Sequence, residues 1–216
     1  MRGSMQVNQP LTASGRGSTN YPLYGAPVLT LGSVTLGGPL VLGNKQGVGT
    51  AFAVGVGNTV INGPVWLGVD NTNGNIVQWQ GSGNVIINGS ISGLVTANGF
   101  SKGSSTLSSA MWLKNANNSF VAPVRIDAGG FLRVSDGGAL GRSTTASVSF
   151  ANNPSVLEVR TDPEGIPSFG ARSLSFVTNS GTVFVDRALD GGTGLAQTVS
   201  FGSVTWTAGR TITVAG

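Results

Sequence analysis

The chain has 216 residues, 39% of them hydrophobic, with 35 glycines and neither cysteine nor histidine. Charged residues are 9%, far below the usual proportion of about 25%, which argues against charged helical surfaces. The net charge of +4 is not gathered into a basic run, which argues against nucleic-acid binding, and the missing Cys and His exclude disulfides, thiolate metal sites and histidine acid–base chemistry.

Taken in chain order, residues 1–6 read as an expression-vector leader with no hydrophobic signal region. Residues 7–27 are irregular and Pro-rich, and are expected to form an N-terminal cap or arm. Residues 28–216 are expected to form a single β-solenoid. No apolar run reaches the length that a membrane-spanning helix needs, so no transmembrane helix is expected.

Repetition begins early. Residues 37–43 (GGPLVLG) match 62–68 (NGPVWLG), and residues 57–63 (GNTVING) match 83–89 (GNVIING), at steps of 25 and 26. A column of alternating residues follows: Val124 and Ile126, Val148 and Phe150, Leu174 and Phe176, then Val199 and Phe201. Ser149, Ser175 and Ser200 occupy the polar place between the apolar pairs. A second column runs in step through Leu132 and Val134, Leu157 and Val159, Val183 and Val185, then Ile212 and Val214.

Alternation of this kind marks a strand with one face buried. The dipeptides Asn62-Gly63, Asn88-Gly89, Asp136-Gly137 and Asp190-Gly191 stand between runs and suit turns that need positive φ. A propeller blade needs about 40–45 residues, so a period near 25 fits one coil of a parallel β-helix. An antiparallel sandwich is the alternative, but its strands need not repeat residue by residue. The expected fold is therefore all-β, a parallel β-helix whose coils stack like on like. Phe150, Phe176 and Phe201 are expected to stack inside, with the serines in a row outside.

Chemistry-bearing residues are few. Aligning the columns makes Arg133 a neighbour of Glu158, and Arg160 a neighbour of Asp186, all four pointing outward from one sheet. Two readings stand: ordinary cross-strand ion pairs, or an acidic-sugar site of the kind a polysaccharide-cleaving β-helix would carry. Trp66 lies between inward Val65 and Leu67 and should face solvent, where it could plug the surface, meet a neighbouring subunit or stack on a surface glycan. Residues 190–198 begin like a calcium-binding nonapeptide, but Leu195 replaces the Asp that motif requires. Asn88-Gly89-Ser90 matches a glycosylation acceptor that the turn already explains. No cofactor, no metal and no enzymatic activity are expected.

Residues 98–141 carry a further pattern: Ser101-Lys102, Gly103, Thr106-Leu107, Asn118 with Phe120, Ile126-Asp127-Ala128-Gly129, an apolar run from Leu132 to Val134, and Ala139-Leu140-Gly141. This resembles the autotransporter-associated β-strand repeat of bacterial surface proteins. Phe120 stands where that family commonly has Tyr, and the Gly expected just after it is absent. The resemblance implies a right-handed β-helix of passenger type, extracellular or on the bacterial cell surface. Two function classes follow: a structural or adhesive surface protein, or a carbohydrate-binding or polysaccharide-cleaving β-helix. A bare strand edge at the end of such a solenoid is expected to lead to end-to-end self-association or to continuation in a longer solenoid.

Overall fold

The computed structural model describes residues 5–15, 28–29, 33–44, 50–54, 57–67, 77–81, 83–93, 100–102, 110–127, 130–143, 146–151, 154–160, 169–176, 179–186 and 198–215. They form an all-β solenoid in which every pairing is parallel. Three strands recur in turn through the first half: β1 (Met5–Val7), β2 (Leu11–Gly15), β3 (Val28–Leu29), β4 (Val34–Leu36), β5 (Leu40–Asn44), β6 (Thr50–Val54), β7 (Asn58–Ile61), β8 (Val65–Leu67), β9 (Val77–Gly81), β10 (Asn84–Ile87), β11 (Ile91–Gly93) and β12 (Phe100–Lys102). Two strands recur thereafter: β13 (Ala110–Leu113), β14 (Val124–Ile126), β15 (Gly130–Val134), β16 (Val148–Phe150), β17 (Ser155–Arg160), β18 (Ser173–Phe176), β19 (Gly181–Asp186), β20 (Ser203–Trp206) and β21 (Ile212–Ala215). A single 3-10 turn, Gly137–Leu140, is the helical element among the described residues.

Three walls result. A nine-stranded sheet runs β1-β4-β7-β10-β13-β15-β17-β19-β21, an eight-stranded sheet runs β3-β6-β9-β12-β14-β16-β18-β20, and a four-stranded sheet runs β2-β5-β8-β11. Within the region 7–27, Val7 and residues 11–15 lie in strands, and residues 16–27 lie outside the described residues.

The repeat steps explain the stacking. Leu40 pairs with Val65, Asn58 with Asn84, Leu132 with Leu157, and Leu157 with Val183. Because strand side chains alternate, an in-register step puts each inward residue above its equivalent. The result is one continuous core of stacked Val, Leu, Ile and Phe. Phe150 and Phe176 stack with ring centroids 4.2 Å apart, an arrangement that adds to simple area burial.

The final circuit departs from the expected register. Leu174, Ser175 and Phe176 pair with Val204, Thr205 and Trp206, not with Val199, Ser200 and Phe201. Val183 pairs with Val214, and Ile212 with Gly181, so the last step on this wall is 31 residues, not 29. The cause is length: the segment between β19 and β20 spans 187–202, whereas that between β17 and β18 spans 161–172. The recurring Val-Ser-Phe letters fall ahead of β20, where the Ser200 carbonyl accepts from the Phe169 N–H at 3.2 Å, and the strand forms after them. Phe201 stacks instead on Phe169, at 4.7 Å. Ser200 accordingly leaves the row that Ser149 and Ser175 begin.

The Asn-Gly turns also work differently from expectation. Neither Gly63 nor Gly89 has positive φ. Their role is close approach. A Cβ on Gly63 would fall on the carbonyl oxygen of Gly38, and one on Gly89 on that of Gly63. The asparagines beside them form a ladder, with Asn88 Nδ2 donating to Asn62 Oδ1 at 2.8 Å. Asn84 Nδ2 donates to Asn58 Oδ1 at 3.0 Å in the same manner. Asp136 caps the 3-10 turn by accepting from the Gly138 N–H at 2.6 Å. Asp190-Gly191 lies outside the described residues.

Candidate functional site

The outer face of the nine-stranded sheet gathers most of the candidate residues. Pairing of β13, β15, β17 and β19 sets Trp112, Arg133, Glu158 and Phe184 in one outward column, each a coil above the last. Arg160 and Asp186 form the next step along the same wall. The columns expected from sequence are therefore in register here, and the four charged residues do meet.

They meet as a chain of ion pairs. Arg133 Nε donates to Glu158 Oε2 at 2.6 Å, and Arg160 Nε donates to Glu158 Oε1 at 2.7 Å. Arg160 Nη1 donates to Asp186 Oδ2 at 2.6 Å. Glu158 points outward, as expected, yet it is only 4% exposed because guanidinium groups close over it from both sides. Both of its carboxylate oxygens are engaged. Lys114 Nζ lies 4.3 Å and Arg133 Cζ 5.2 Å from the Trp112 ring centroid, and Arg160 Cζ lies 5.0 Å from that of Phe184. The arrangement joins successive coils through alternating charge and cation–π contact.

Trp66 is not part of this group. It sits on β8 of the four-stranded sheet, paired with Val41 and Ser92, and is 47% exposed. Its outward orientation is as expected.

Three features were given no structural role by sequence reasoning. The first is Asn118, a member of the pattern across residues 98–141, buried where the four-stranded sheet stops. Its Oδ1 accepts from the Ile91 N–H at 2.8 Å and its Nδ2 donates to the Ala139 carbonyl at 2.8 Å. The side-chain amide thus takes the place of a peptide unit between β11 and the 3-10 turn. Phe120, beside it, is buried, and its carbonyl accepts from the Arg142 N–H at 2.9 Å. The second is Arg172, buried against this stack with Nη2 donating to the Gly141 carbonyl at 2.5 Å. Among the described residues its Nη1 has no hydrogen-bond partner, and burial lowers its pKa from the ordinary arginine value. The third is Trp112, whose place between two cations needs the pairing of β13 with β15. That pairing comes at a step of 21 residues, from Met111 to Leu132, outside the period of 25.

Among the described residues no group of three or more Asp or Glu converges as a metal site, and no helix is long and apolar enough to cross a membrane. The nonapeptide-like stretch before Thr198 lies outside the described residues. No protein-family model matches the chain, and no curated protein or solved structure matches it either.

Proposed function

We propose that the solenoid is itself the working part: a structural or adhesive segment of a bacterial surface protein, extracellular and of autotransporter-passenger type, without enzymatic activity. One observation carries this reading. The charged residues that could have formed a glycan-cleaving site, Arg133, Glu158, Arg160 and Asp186, are joined to one another from coil to coil. Their geometry serves the scaffold: a carboxylate with both oxygens held by guanidinium groups has no oxygen turned toward a substrate. The pattern across residues 98–141 supports the surface assignment by resemblance.

The second reading is carbohydrate binding without cleavage, and Trp66 favours it. An indole this exposed offers a flat apolar face of the kind on which a sugar ring stacks. Binding of the purified protein to a glycan panel, with and without calcium, separates the two. The structural reading predicts no glycan signal above background. A signal abolished by Trp66→Ala would establish the second reading. Depolymerisation of a polysaccharide, abolished by Glu158→Ala or Arg160→Ala, would overturn both.

A further inference from the structure

The two ends of the solenoid differ from its walls. β21 is the last strand of the nine-stranded sheet and β20 the last of the eight-stranded sheet. Val204, Trp206 and Val214 continue the inward columns of Leu174, Phe176 and Val183, which are buried. At this end the same positions are 41%, 62% and 74% exposed. Among the described residues nothing covers these inward-facing positions, and the two strand edges beside them are unpaired.

We infer that this end binds the opposite end of a second copy of the chain, giving head-to-tail assemblies. The opposite end has the matching features. β1 is the first strand of the same nine-stranded sheet and runs parallel to β4, so its open edge offers a parallel partner to β21. Pairing of Met5 with Val34 puts Met5 in the register column that runs through Leu132, Leu157 and Val183 to Val214, and Val7, in the neighbouring inward column, packs partly buried against the core. Charge does not oppose the contact. Arg210 is the single charged residue among the described residues from 198 onward, and residues 5–15 hold none. An unpaired edge flanked by apolar side chains and lacking charge is a template for strand addition. Joining unlike ends leaves each new end free again, so growth does not stop at a dimer. The inference is independent of what the outer walls bind.

Sedimentation velocity of the 216-residue protein over a concentration series tests it. The expected result is a weight-average coefficient that rises with concentration past that of a dimer. Trp206→Lys combined with Val214→Lys should abolish the rise while leaving the β-sheet circular dichroism unchanged, because both side chains are exposed in the single molecule. Added in small proportion to the unmodified protein, this variant should shorten the assemblies, since its intact β1 end still joins a growing end and then blocks it. Trp66→Lys, on a wall, should change nothing. A monomer at every concentration, growth that halts at a dimer, or equal loss from Trp66→Lys would each overturn the inference.

Discussion

Phe176 and Ser175 are adjacent, yet the fold puts them in opposite environments. Phe176 is fully buried against Phe150, whereas Ser175 lies in the outward row. Phe176→Ala is expected to cost about 3–5 kcal/mol, and Ser175→Ala about 0.5 kcal/mol or less, read from urea unfolding midpoints. The alternation behind this contrast is legible in the sequence, because period-two apolar residues can bury together only as a strand. The fate of Glu158 is less legible. Its outward direction and its neighbour Arg133 follow from register, but its burial also needs Arg160, two residues along the same strand, to fold back onto it, a contact that aligning the columns does not give. Replacing it leaves Arg133 and Arg160 without their shared carboxylate, so Glu158→Gln should cost about 3 kcal/mol. Asp186, more exposed and held by Arg160 at the end of the chain of pairs, should cost under about 1 kcal/mol on Asp186→Asn. Equal losses from these two variants would show that burial of Glu158 is not what gives the pair its strength.

At the scale of elements, the strands of the regular coils are legible and the turns are legible in place but not in cause. Residues 62–63 and 88–89 announce turns as Asn-Gly, which suggests positive φ, whereas the structure uses the glycines to let successive coils touch. Gly89→Ala is therefore expected to destabilise by about 1–3 kcal/mol through overpacking against the Gly63 carbonyl. An unchanged melting temperature would contradict the close contact. Asn118 supplies a second test. Asn118→Ala removes two buried hydrogen bonds and strands the Ile91 N–H and the Ala139 carbonyl, at about 1–3 kcal/mol for each group. Asn118→Asp retains the acceptor but loses the donor, and should fall between Ala and the natural residue only if the Ile91 bond dominates. The final circuit is the element that sequence misplaces. A longer segment before β20 lets local similarity at Val199-Ser200-Phe201 mimic a repeat whose structural place is taken by Val204-Thr205-Trp206.

The whole molecule is a stack in which each coil is held by its neighbours, so its stability is close to a sum of coil and interface terms. Nine strands at a spacing of about 4.8 Å make the longest wall about 38 Å from first to last. The stack itself is legible because a period near 25 is too short for a propeller blade and suits a β-helical coil. What the walls bind is not legible, since charged residues that align in sequence can serve either a ligand or each other, and their contacts decide which. The stack rests on register, and the absence of cysteine allows register to be measured directly. Three double variants are compared under mild oxidation: Ser149→Cys with Ser175→Cys, Ser175→Cys with Thr205→Cys, and Ser175→Cys with Ser200→Cys. Neighbouring strands bring Cα atoms within about 4.8 Å, inside the range of about 4.4–6.8 Å that a disulfide spans. The first two pairs should form intramolecular disulfides readily and the third should stay reduced. Oxidation of the third pair with the second left reduced would restore an unbroken period of 25 at the last circuit, and failure of the first pair would contradict the stacked solenoid itself.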